Sequence, residues 1–213
     1  MQAHPGGIAV SAVQLARGRQ RRYMSPTPPI QPDAMPATRS DLFARLDQLG
    51  ISTTTVDHPA VFTVAESTGL ERSLAGGHTK NLFLKDAKDR LFLGVAQSTP
   101  PVDLKTLHKT LGCARLSFGK PELLMRVLGV PAGSVTAFSL INDREKSVSV
   151  VIDAALMHHD SVNCHPLENT ATTNISRDDL LKFIRACGHD PRVVGLSATA
   201  VSGTTDAHSA SNP

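Results

Sequence analysis

Cysteine is scarce in this chain: Cys113, Cys164 and Cys187 are the only three in 213 residues. Three thiols at irregular spacing build neither a disulfide framework nor a CxxC metal site. They are expected to be reduced, which implies a cytoplasmic setting. Long apolar runs are lacking as well. A membrane-spanning helix needs roughly 18–20 apolar residues in succession, and no stretch approaches that length, so no membrane partner is expected. The common catalytic signatures are missing too: there is no GxSxG elbow, no P-loop, no dinucleotide fingerprint and no internal repeat.

Zinc chemistry would have to use His158, His159, His165 and Cys164. Zinc ligands come at i, i+4 on a helix or as CxxC pairs, and His158-His159-Asp160 has neither spacing. No metal and no cofactor are expected. Cys164 and His165 are chain neighbours, and neighbours in an extended strand point to opposite faces, so they cannot form a nucleophile–base dyad. Cys164 reads as a packed thiol.

What is present suits an ordinary folded protein. Hydrophobic residues make up 40% and charged residues 19%, enough for one domain with a core plus tails, or at most two small domains. The formal charge of +3 is unevenly spread. Residues 1–40 hold five arginines against one aspartate, and residues 72–126 hold ten Lys/Arg against four Asp/Glu. The second cluster suits a phosphate backbone; scattered solvated charge explains it equally well.

Residues 1–37 are proline- and arginine-rich and are expected to be a disordered extension. Their composition mimics an organelle transit peptide, and a translation start at Met24 or Met35 is the preferred explanation. The folded domain is expected over 38–196, with a Ser/Thr/Ala/Gly-rich tail over 197–213. Within it, Ser40 is placed to cap a helix over Asp41–Leu49, and Ile51–Val56 alternates like a strand. Thr63-Val64-Ala65-Glu66 has capping-box spacing and predicts a short helix ending near Gly69. Lys80–Lys85 and Arg90–Val95 read as a hairpin. Asp103–Leu111 and Pro121–Leu128 read as helices, Ser147–Asp153 as a strand, and Arg177–Cys187 as a helix capped by Ser176 and stopped by Gly188. Strands and helices mix without strict alternation, so the predicted class is α+β.

Polar groups stand beside Gly or Pro at four places: Thr63, Lys80-Asn81, the loop at Gly133, and the run Cys164–Thr170, CHPLENT. Each has a plain reading, as a cap, an exposed strand-end lysine, a turn glycine or a structural histidine. Lys80 stands out in GGHTKNLFLKD because it opens a core-like strand, and burying an ammonium without a partner is costly.

Taken together and in order, KNLFLKD, LGVPAGSVTAFSLIND, SVVID and HPLENTATT resemble the prolyl-tRNA synthetase editing-domain family with its YbaK-like fold. The freestanding branch, which deacylates Ala-tRNA(Pro) in trans, is the nearest in pattern. The resemblance covers about residues 38–196. It implies a compact α+β domain on a mixed sheet and a hydrolase acting on the acceptor end of mischarged tRNA(Pro), with prolyl-tRNA synthetase or an elongation factor as further partners. Two alternatives stay open: a deacylase for Cys, Ser or Thr, and a non-catalytic tRNA- or synthetase-associated module.

Residue by residue, the resemblance assigns Lys80, His165 and Gly133 to catalysis, and Asn81, Thr63, Asp153, Asn169 and Thr170 to substrate binding. It allows the substrate's own 2′-hydroxyl to assist. Phe62, Leu82, Val130 and Val135 are expected to form apolar walls. One departure is Ala137, where the family's GxxxP loop carries proline. The chemistry suits these residue types. An aminoacyl ester is already activated, so position, a water and electrostatic help suffice.

Overall fold

A computed structural model describes residues 35–60 and 74–196. Helix α1 (Arg39–Gln48) begins two residues earlier than expected: Thr38, not Ser40, is its N-cap, in a reciprocal capping box with Asp41. The helix is followed by β1 (Thr53–Asp57). Ile51 is not part of that strand. Its amide returns to Leu46 O at 3.0 Å and closes the helix end, with Ile51 itself buried. The predicted hairpin is present and longer than read, as β2 (Gly77–Asp86) and β3 (Leu91–Gln97). Asp86 anchors its turn by accepting from the amides of Lys88 and Arg90 and from the Arg90 guanidinium.

Next come α2 (Leu104–Leu111), capped by Asp103 and ended by Gly112 at φ +65°, then β4 (Leu116–Phe118) and α3 (Pro121–Leu128). A 3-10 turn over Ala137–Ile141 leads to β5 (Val148–Asp153). A second 3-10 turn, Ala154–His158, precedes the hairpin β6 (Ser161–Cys164) and β7 (Ala171–Ser176). Helix α4 (Arg177–Ala186), capped by Ser176, and β8 (Arg192–Val194) complete the described chain.

The strands form one mixed sheet in the order β1-β7-β6-β2-β3-β5-β8, with β4 pairing β2 outside that path. β2 runs antiparallel to β3 and parallel to β6, and β3 runs parallel to β5. The expected α+β class and mixed sheet are therefore as observed.

Each face of the sheet has its own apolar cluster. Leu42 and Leu46 of α1, Leu124 and Leu128 of α3, and Phe183 and Ile184 of α4 cover one face. There the Phe138 and Phe183 rings meet edge-on, 5.3 Å apart, a favoured aromatic geometry. On the other face Leu107 and Leu111 of α2 cover Leu82, Leu84 and Val151, but only over the β2–β3–β5 half. The β7–β6 half of that face carries polar side chains instead. Asn163 pairs across to Asn174, whose amide reaches Ser161 Oγ and Asn163 Oδ1 at 3.1 and 3.0 Å.

Candidate active site

The site grows from a break in strand pairing. β3 accompanies β2 from Thr79 to Lys85 along one edge. On the other edge β6 pairs only with Gly77 and His78, and β4 only with Leu84 to Asp86. Among the described residues no strand pairs with residues 79–82 on that side. Parity then fixes where the backbone points. Asp86 N donates to Arg90 O and Ser98 N to His78 O, so even-numbered residues bond to β3. The N–H and C=O of Asn81 turn toward the split.

Lys80 and His165 flank this opening. From the parallel pair His78↔Asn163, two residues along each chain lead to Lys80 and to His165, on the same face of the sheet. Lys80 is exposed, and among the described residues its ammonium makes no hydrogen bond or ion pair. His165 lies just past the end of β6, where Pro166 follows and Leu167 takes a left-handed φ of +70°. Its Nδ1 stands 3.1 Å from Ala171 O. A carbonyl can only accept, so in the neutral ring the proton is on Nδ1 and the Nε2 lone pair is free to accept.

Burial holds the His165 pKa below the ordinary histidine value of 6.5; the Ala171 hydrogen bond opposes this and the nearby His58 adds to it. The ring is thus neutral at pH 7. A depressed histidine makes the unfolded chain the better proton binder, so this group's stabilisation is present above pH 6.5 and is lost as pH falls through the folded value. If Nε2 acts as acceptor, the acid limb of kcat/KM is expected below pH 6.5, and His165→Gln should remove that limb. A pH–rate profile of both proteins checks this.

Two residues not singled out in the sequence brace the loop after His165. His58 donates its amide to Thr170 O at 2.9 Å. Its ring spans Pro59 O at 2.8 Å and Thr172 Oγ1 at 3.0 Å. Arg39 reaches Asp57 at 2.6 Å and Glu168 at 3.0 Å, tying α1 to the end of β1 and to the loop. Exposed ion pairs of this kind are worth only about 0–1 kcal/mol, so their effect is to fix geometry. The dipeptide His-Pro, at 58 and 165 and also at 4, was the available hint to His58. Nothing in the sequence pointed to Arg39.

The other candidates fall as follows. Asn81 points to the opposite face from Lys80, and its amide donates to Thr79 Oγ1 at 3.3 Å. Gly133, at φ +93°, forms an exposed turn in which Ser134 N bonds to Pro131 O. Open space surrounds it, so the glycine serves backbone conformation rather than close packing. Asp153 is 1% exposed and accepts from the amides of Gln97, Ala155 and Leu196. Asn169 is half-buried and Thr170 exposed, both in the braced loop. Thr63, its predicted capping-box helix and Phe62 lie outside the described residues. The expected apolar walls do not form one surface. Leu82 belongs to the cluster under α2, whereas Val130 and Val135 pack on the other face. Cys164 is buried, and burial pushes its thiol up to about 12. It remains protonated at neutral pH and is no nucleophile.

Residues 58–183 match the family model of the aminoacyl-tRNA editing domain. Relatives include prolyl-tRNA synthetase associated domain-containing protein 1 of Danio rerio, 40% identical over 160 residues that span 74% of this chain and 87% of the relative. Prolyl-tRNA editing protein ProX of Acetoanaerobium sticklandii is 36% identical over 156 residues, 73% of this chain and 95% of that protein. Among solved structures, a candidate trans-editing enzyme for prolyl tRNA synthetase superposes with a TM-score of 0.59 at 17% identity, covering 76% of this chain and 99% of that one. The last likeness concerns the fold alone. Among the described residues no helix is long and apolar enough to cross a membrane.

Proposed function

As this chain belongs to the aminoacyl-tRNA editing domain family, we propose that it is a trans-editing deacylase that hydrolyses the ester of mischarged Ala-tRNA(Pro). The reading rests on an exposed cation, Lys80, and a neutral acceptor, His165 Nε2, each two residues beyond the pair His78↔Asn163 where β6 parts from β2. Water attacks the acyl carbon, the acyl–oxygen bond to the terminal ribose breaks, and alanine and free tRNA leave. His165 Nε2 takes the hydrogen bond of the attacking water, or of the substrate's 2′-hydroxyl, and returns the proton to the departing ribose oxygen. Lys80 stabilises the negative charge that develops on the ester, or holds the adjoining phosphate. Backbone amides of the Gly133 turn are available to the carbonyl oxygen. Asn169 and Thr170 complete the binding surface, and Asp153 positions the segments around it. Incubation with labelled Ala-tRNA(Pro) is the direct test. Release of alanine supports the reading, and tRNA binding without release would make the chain a non-catalytic module.

Selectivity is proposed to follow size. A site made for proline rejects the smaller alanine by only about 1–3 kcal/mol per methylene, so a second site that admits only small residues is needed. Overpacking a filled pocket costs about 1–3 kcal/mol, and Ala-tRNA(Pro) is therefore expected to be hydrolysed about tenfold or more faster than Pro-tRNA(Pro). Equal rates would sink the sieve. Ala137 is fully buried at the first position of its 3-10 turn, after Thr136 at φ −152°, ψ 156°. Proline is tolerated at such a first position and prefers an extended predecessor. Ala137→Pro should therefore fold and keep or sharpen the preference for alanine over proline, as measured in the same assay.

A further inference from the structure

Among the described residues three buried side-chain polar atoms lack a hydrogen-bond partner: Asn81 Oδ1, His108 Nδ1 and His189 Nε2. His108 is on α2, and His189 sits 3.7 Å from Asp143. Only Asn81 stands at the split. The orientation of its amide follows from its neighbours. Thr79 has a single hydroxyl proton, and its Oγ1 lies 2.7 Å from Asn163 O, which can only accept. Thr79 must therefore accept from Asn81, so Nδ2 faces Thr79 and Oδ1 is the atom left over. Leaving a buried acceptor unpaired is costly. Such an atom at a site is a place for a ligand's donor.

The scissile end of an aminoacyl-tRNA offers few donors. The phosphate and the ester carbonyl only accept, and they suit Lys80, which only donates. The 2′-hydroxyl and the attacking water can give their protons to His165 Nε2. The α-ammonium remains: it only donates, it would be repelled by Lys80, and it needs a neutral or negative acceptor on the other side of the ester. Asn81 occupies the opposite face of β2 from Lys80, the face that carries Phe83 two residues on and the larger apolar cluster. An apolar face of that kind suits a small alkyl side chain next to the amine.

We propose that Asn81 Oδ1 accepts from the α-ammonium of the bound aminoacyl group, so that this site requires a free amine. The inference rests on the reading of the chain as an aminoacyl-tRNA editing protein. It is tested with the full chain and two hydrolysis-resistant probes, acceptor-stem RNA minihelices carrying an amide-linked alanyl or an amide-linked propionyl group. The second lacks only the amine, so bulk does not confound the comparison. Calorimetry is expected to show propionyl binding about 10- to 150-fold weaker, the range for one hydrogen bond to a charged group. Asn81→Leu should bind both probes alike and melt no lower than the parent. Equal binding of the two probes by the parent protein overturns the inference, as does a difference that persists in Asn81→Leu. If Asn81→Leu does not fold, Asn81→Asp decides: its added charge must widen the gap between the probes, and a gap no wider than the parent's overturns the inference. A 2′-deoxy alanyl probe that loses affinity in the parent but not in Asn81→Leu would assign Oδ1 to the ribose and also overturn it. Ester turnover is measured alongside. Failure to release alanine with the amine dependence intact removes the proposed activity and leaves this inference standing.

Discussion

Lys80→Ala is expected to lower hydrolysis of Ala-tRNA(Pro) by about 10²- to 10³-fold, the usual cost of deleting one group that stabilises developing charge. The melting temperature should hardly move. Lys80 is exposed and unpaired among the described residues, while its neighbours on the same face, Leu82 and Ala96, are buried. Removing an exposed side chain of this kind changes stability by no more than about 0.5 kcal/mol. Lys80→Arg keeps the charge but replaces a compact ammonium with a broad planar fork, and it should restore only part of the activity. Full turnover by Lys80→Ala, with a normal melting curve, would show that the split between β2 and β6 is not where the ester reacts.

Asp153→Ala is expected to act in the opposite manner, through the fold. The carboxylate closes β5 and serves three chain segments at once: Gln97 at the end of β3, Ala155 in the following 3-10 turn, and Leu196 beyond β8. Truncation strands at least these three amides in a buried place. Each unmade buried hydrogen bond costs about 1–3 kcal/mol, so a loss of about 3 kcal/mol or more is expected. For a domain of this size that lowers the melting temperature by about 6–12 °C. Asp153→Asn keeps one acceptor oxygen and should lose less. A melting temperature unchanged in Asp153→Ala would show that water replaces the carboxylate and that the residue is not an anchor.

These two residues illustrate what could be read in advance. Elements marked by local chemistry were legible: Pro121 at a helix start, Gly112 and Gly188 beyond helix ends, and the apolar alternation of β2 and β3 around a short turn. The hairpin β6–β7 was not. Its inner positions include Asn163, Thr172 and Thr173, buried because each finds a partner across the sheet, as Thr173 Oγ1 does with Thr55 Oγ1 at 2.9 Å. A pattern search scores such residues as loop, since pairing between distant segments leaves no trace in local sequence. Asp153 was visible as the end of a strand, but its three amide partners lie in distant or irregular segments. Lys80 and Asn81 were both assigned to the site, one to catalysis and one to substrate binding; the unbroken register of β2 with β3 places them on opposite faces. The bracing of the His165 loop by Arg39 joins residues 129 positions apart, and no spacing rule reaches that far.

The same register has a bearing on how such a domain can vary. Between His78, held by β6, and Phe83, whose carbonyl is held by Gly119 N, the strand has no spare residue. Adding or removing one would turn Lys80 and Asn81 over together, and every core side chain from Phe83 onward with them. Substitutions in this stretch can be weighed one at a time, but its length is a single indivisible trait, and descendants of this chain are free to lengthen the Gly133 turn long before they can lengthen these few residues.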